Sequence, residues 1–156
     1  MTTRSKPRGR PPDAIAMLKA DHHKLRTLFV AYQTAIDRAT KLSVANLVFV
    51  ALETHAQLKE HVFYPAVHEE TDGGQELVSA RLEDLQTMKQ CIQELRGIRP
   101  DLKAFDAKFY ELIRYVDHHM AAEEAKMFPL AEAMLKEDMQ ALRDEMQALK
   151  AQLLAS

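Results

Sequence analysis

Apolar residues recur at steps of three and four along almost the whole chain after residue 12. Ile15, Leu18, His22, Leu25, Phe29, Tyr32 and Ile36 mark one face of a first helix that starts near Asp13. Ser43 can cap a second helix, whose inward series is Val48, Leu52, His55, Lys59, Val62 and Ala66 and which runs to about His68. Thr71-Asp72-Gly73-Gly74 breaks the chain, and Val78, Leu82, Leu85, Met88, Ile92 and Leu95 give a third stripe. Gly97 to Pro100 form the next stop, and Asp101 opens a fourth helix. Its stripe of Leu102, Phe105, Phe109, Leu112 and Val116 continues onto His119 and Glu123, and Pro129 should kink or end it. Connections this short make neighbouring helices antiparallel, so the pattern predicts an all-α, up-down-up-down four-helix bundle. A further helix follows, with Met139, Leu142, Met146, Leu149 and Leu153 at heptad spacing. It either packs back on the bundle or pairs with another copy of the chain as a homo-oligomer.

Composition supports this and narrows it. Of 156 residues 47% are hydrophobic and 28% charged, an ordinary globular balance, and four glycines with no Trp favour helices over sheet. The one cysteine, Cys91, has no internal partner for a disulfide, which fits a reducing compartment, so a cytoplasmic protein is expected. The most apolar run, Leu42 to Leu52, is too short to span a bilayer, and no membrane or export signal is read. Charge is unevenly placed. Arg4, Lys6, Arg8 and Arg10 stand in the first twelve positions with three of the six prolines and no Asp or Glu, while acids outnumber bases in the remainder. The organisation read is therefore a basic, Pro-rich disordered arm (1–12), a bundle (13–135) and an amphipathic C-terminal helix (136–156).

The inward stripes carry chemistry. His22, His55, Lys59, His119 and Glu123 all fall on faces that should be buried, and they come from the first, second and fourth helices. Imidazoles and a carboxylate converging in a bundle core fit a metal site, because such groups are costly to bury without a partner. Without a thiolate the set suits iron, manganese or zinc, and two His with one carboxylate leave positions open for a small ligand. No Glu-x-x-His pair and no His-Glu-x-x-His motif occurs, and no Gly-rich phosphate loop is present. Three stretches carry a family resemblance: Leu18 to His23, His55 to Pro65, and His118 to Pro129, with ten residues from His55 to Pro65 and from His119 to Pro129.

The chain resembles the hemerythrin-like, His-His-Glu cation-binding family over roughly residues 13 to 135. The resemblance implies a di-iron centre inside a four-helix bundle, used to bind dioxygen, to sense oxidants or nitric oxide, or to handle iron. It assigns ligand roles to His22, His55, His119 and Glu123. At two positions this chain departs from the pattern: Lys59 stands where the second helix should give a bridging Glu, and Leu85 where the third should give a His, with Asp84 as the neighbouring alignment. Glu60 lies about 100° round the helix from Lys59 and is no direct replacement. A normal di-iron site is therefore not expected.

Two arrangements follow. In one, His22, His55 and Glu123 hold a mononuclear or labile iron, with His119 as a fourth ligand or a supporting group. In the other, the Lys59 ammonium neutralises Glu123, no metal is bound, and the bundle serves as an interaction module. Tyr115, one turn before His119, is a candidate supporting hydrogen-bond donor. In the arm, Lys6 to Pro12 resembles the core of an AT-hook, in which Arg8, Gly9 and Arg10 would enter the minor groove of A·T-rich DNA. The expected function is binding or sensing of a small diatomic ligand or oxidant, without enzymatic turnover; the alternative is the metal-free module with weak DNA affinity.

Overall fold

The computed structural model describes residues 13–155, so the basic arm with Arg8, Gly9 and Arg10 lies outside the described residues. Helix α1 covers Ala14–Thr34, and Asp13 caps it by accepting from the Ala16 N–H. Helix α2 begins at Arg38, not after Ser43, because Asp37 caps it through the Thr40 N–H and hydroxyl. That early start leaves Ile36 in the turn between the helices, 98% exposed, instead of on the inner face of α1.

Helix α2 runs Arg38–Leu58, passes through one wide π turn at Lys59–Phe63 and continues as Tyr64–Glu70. Helix α3 is Gly74–Arg96. Helix α4 repeats the design of α2: Lys103–Ala122, a π turn at Glu123–Met127, then Phe128–Met134. A single 3-10 turn, Lys136–Asp138, leads into α5, Met139–Ala155. Leu102 takes the position just ahead of α4, where it is exposed and does not belong to the inner stripe.

Each π turn sits just ahead of a proline. Pro65 and Pro129 have no N–H for the helical ladder, and each ring crowds the carbonyl four residues earlier. The chain widens there: the Tyr64 N–H reaches Lys59 O and the Phe128 N–H reaches Glu123 O, five residues back. One extra residue shifts the buried face. Val62 and Ala66, expected inside, are only half-buried, and Phe63, Tyr64 and Val67 are buried in their place.

Cross-helix pairs fix the directions of the helices. Asp21 meets His55 across α1 and α2, while a three-residue connection joins the far ends of these helices. Glu53 with Arg96 and Glu60 with Lys89 set α2 against α3. Glu94 with Lys108 and Asp84 with His119 set α3 against α4, and Tyr32 with Asp106 and His22 with Glu124 close the ring back to α1. Every neighbouring pair is antiparallel, which is the up-down-up-down bundle. The α2–α3 turn depends on its glycines: Gly73 has φ +81°, and a Cβ on Gly74 would stand 2.1 Å from Thr71 Oγ1 and 2.3 Å from Val67 O.

Helix α5 packs back on the bundle against α1, α2 and the first π turn. Met139, Leu142 and Met146 are buried by that contact, and Leu149 is partly covered. Among the described residues no helix is long and apolar enough to cross a membrane.

Candidate metal centre

The helices carry six polar groups into the middle of the bundle. His22 comes from α1, His55 and Lys59 from α2, Tyr64 from just beyond the first π turn, and His119 and Glu123 from α4. All six are at most 3% exposed. Tyr64 follows Lys59 by five residues, so on an unbroken α-helix the two would diverge; the π turn brings them to one side.

Glu123 is the hub. Its carboxylate accepts from Lys59 Nζ through both oxygens, each at 3.0 Å, and Oε2 also accepts from the Tyr64 hydroxyl. Burial alone would raise its pKa, but the Lys59 charge and the His119 and His22 contacts outweigh that, so the carboxyl lies well below its ordinary range. Burial lowers the Lys59 pKa, and Glu123 opposes the shift. Burial and then the Glu123 charge hold the Tyr64 phenol well above its usual value, so it stays a donor.

Each imidazole is clamped from behind by an acid. His22 Nδ1 lies 2.6 Å from Glu124 Oε2, His55 Nδ1 lies 2.9 Å from Asp21 Oδ2, and His119 Nδ1 lies 2.9 Å from Asp84 Oδ2. An ionised carboxylate can only accept, so each Nδ1 donates, and in the neutral ring Nε2 presents a lone pair inward. For His55, burial first and the Lys59 charge second lower the pKa to about 4, which keeps the ring neutral at neutral pH. Burial pushes the Asp21 carboxyl up, but its contacts with His55 and Lys150 leave it below the ordinary range.

The three lone pairs differ in what they meet. His119 Nε2 accepts from Lys59 Nζ at 2.9 Å. His22 Nε2 and His55 Nε2 are buried with no hydrogen-bond partner. His22 Nε2 stands 3.2 Å from Glu123 Oε1 without hydrogen-bond alignment. A nitrogen lone pair and a carboxylate oxygen so close repel each other unless a proton or a metal cation lies between them. One donor atom each from His22, His55 and Glu123 lie within 4.8 Å of one another. Two imidazoles and a carboxylate, with their outer nitrogens already fixed by acids, fit one divalent transition-metal ion. They do not fit two. Lys59 Nζ takes the contacts to His119 and Glu123 that a second ion would need, and Leu85 is an apolar, fully buried residue of α3.

The structure thus gathers His22, His55, Lys59, His119 and Glu123, and it sets His119 apart from the three-residue set. Tyr115 stands behind His119, its hydroxyl donating to Asp84 Oδ1 at 3.2 Å. Glu60 turns away and pairs with Lys89 at the surface. Sequence reasoning missed Tyr64, Glu124, Asp21 and the role of Asp84. The last three follow from spacing: each acid adjoins an inward position, which is where a residue must sit to reach round an imidazole. Tyr64 was hidden by the π turn, for which Pro65 was the signal. A cavity of about 200 Å³ opens between α1, α2 and α5, lined by Leu25, Leu28, Ala51 and Thr54, and His55 borders it.

The family model "Hemerythrin HHE cation binding domain" matches residues 13–131. A curated protein of Nostoc sp. (strain PCC 7120), named DNA nickase, is 27% identical over 114 residues, which take in 72% of this chain and 31% of that protein. The chain spans about a third of the length of that relative. A solved hemerythrin HHE cation-binding domain-containing protein from Mycobacterium kansasii shares the fold with a TM-score of 0.78 over 90% of this chain and 86% of that one, at 14% identity. With the family model spanning all four helices of the bundle, the chain belongs to the hemerythrin HHE cation-binding family.

Proposed function

We propose that this chain holds one iron ion through His22 Nε2, His55 Nε2 and the Glu123 carboxylate, and that it binds or senses a small diatomic ligand or oxidant without turnover. The observation that carries the reading is the pair of buried, unpartnered Nε2 atoms facing Glu123. Iron in such a set keeps positions open to dioxygen or nitric oxide. The protein's own groups do the rest. Glu124 and Asp21 aim the two lone pairs, and Lys59 and Tyr64 fix the Glu123 carboxylate. The test is anaerobic Fe(II) loading of the full chain followed by metal analysis. About one iron per chain, lost in His22→Ala and His55→Ala, is the expected result; no bound iron would overturn the reading.

A second reading rests on Lys59. Its ammonium already neutralises Glu123 from within the core, as a bundle without metal would require. The chain would then act through its surfaces, and the basic arm and the DNA nickase name of the Nostoc relative make DNA the partner to try. Gel-shift binding to an A·T-rich duplex should then weaken steeply with salt and vanish on removal of residues 1–12.

A further inference from the structure

Behind each imidazole stands an acid, and behind each acid stands a cation. Glu124, which holds His22, is gripped by both terminal nitrogens of Arg26 at 3.1 Å. Asp84, which holds His119, has Arg81 Nε at 2.9 Å. Asp21 gives Oδ2 to His55 and turns Oδ1 toward Lys150 Nζ at 3.7 Å. Arg26 and Arg81 belong to the four-helix bundle, on α1 and α3. Lys150 does not: it is carried by α5, one turn beyond the buried Met146 that anchors this helix on the bundle.

We propose that Lys150 is a positioning residue of the metal centre, acting on His55 through Asp21, so that α5 sets the aim of one ligand from outside the four-helix bundle. The inference rests on the single-metal reading above. A carboxylate with one partner can rock about its own axis or offer either oxygen, whereas a cation on Oδ1 leaves Oδ2 committed to His55 Nδ1. It also keeps Asp21 an acceptor, so the imidazole proton stays on Nδ1 and the lone pair stays on Nε2. Since the contact is 3.7 Å long and the Lys150 side chain is 37% exposed, salt should weaken it, unlike the buried contacts around Glu123.

The experiment compares Co(II) affinity and the Co(II) absorption spectrum of the full chain with those of Asp21→Asn, Lys150→Met and Lys150→Arg. In low salt Asp21→Asn should bind about 10- to 100-fold more weakly. Lys150→Met should lose less, about fivefold, with a shifted spectrum, and Lys150→Arg should stay within about twofold of the parent chain. At 1 M salt, where the Debye length is about 3 Å, the difference between Lys150→Met and the parent should disappear. A metal-free readout accompanies these. In nitrogen-15 spectra of the histidine rings, His55 should be protonated on Nδ1 in the parent chain and a tautomer mixture in Lys150→Met. Tight Co(II) binding unchanged by Lys150→Met, while Asp21→Asn weakens it, would overturn this inference and leave the single-metal reading standing. A loss in Lys150→Met that salt does not remove, or that Lys150→Arg shares, would mark a packing role and also overturn it. Failure of the parent chain to bind Co(II) or Fe(II) would overturn the single-metal reading, and this inference with it.

Discussion

His55 and His119 hold matching places on α2 and α4, each four residues before a buried charged group and ten before a proline. Both donate Nδ1–H to an aspartate, yet inward their surroundings part. The His119 lone pair meets the Lys59 ammonium, while the His55 lone pair has no partner and shares its neighbourhood with His22 and Glu123. The difference between the halves is two residues, Lys59 where the family pattern has a carboxylate and Leu85 where it has an imidazole. In the proposed single-metal reading an ammonium and a metal ion would answer the same electrostatic need on the two sides of one carboxylate, and the side with the lysine is already satisfied.

Breaking the lysine half should give the largest effect. Lys59→Met leaves Glu123 buried without its cation, and the metal-free chain should lose about 3–5 kcal/mol of stability, measured by urea unfolding. Iron or cobalt added at saturating concentration should recover part of that loss, since binding to the folded state alone stabilises it. Making the halves alike is the complementary test. Lys59→Glu with Leu85→His should raise the loaded metal from about one ion per chain to two, read by elemental analysis; a stoichiometry that stays at one would show that Leu85 does not stand at the missing ligand position.

Tyr64→Phe removes one of the donors to the buried carboxylate and should cost about 1.5–3 kcal/mol by the same unfolding assay. Lys59 remains, so the cost should stay below that of Lys59→Met. The smallest effect belongs to a polar cluster away from both halves, which serves as a control. Asp106, near the turn from α1 to α2, accepts from Arg38 and from the Tyr32 hydroxyl, and chiefly the Arg38 contact lowers its pKa. A depressed carboxylate pKa adds stability above the unfolded value near 3.9, and that stability is lost as pH falls through the folded value. Asp106→Asn should therefore cost about 1 kcal/mol at pH 7 and progressively less as the pH falls into the acid range, with metal affinity unchanged.

The bundle was legible because its apolar stripes are long and keep one period, so Leu18, Leu25, Phe29, Phe105, Phe109, Leu112 and Val116 needed no tertiary information to be placed inside. The same logic put His22, His55, Lys59, His119 and Glu123 in one core. It failed where the period changes. Beyond Lys59 the π turn rotates the chain by one residue, which hid Tyr64 and misplaced Val62 and Ala66. It failed at Ile36 and Ser43 for another reason: Asp37 competes with Ser43 as a cap, and only the packed turn shows which starts the helix. Asp21, Asp84 and Glu124 each adjoin an inward position, but a one-dimensional pattern does not show which imidazole of a neighbouring helix each one reaches.

In the proposed single-iron reading Lys59 would also limit electron traffic. Two metal ions on either side of Glu123 could together supply two electrons to one bound molecule. An ammonium has a single oxidation state and supplies none. In the proposed single-iron reading, a centre of one iron and one lysine would give up one electron at a time, which would suit it to a one-electron signal, such as the oxidation of Fe(II), better than to a two-electron exchange with a gas.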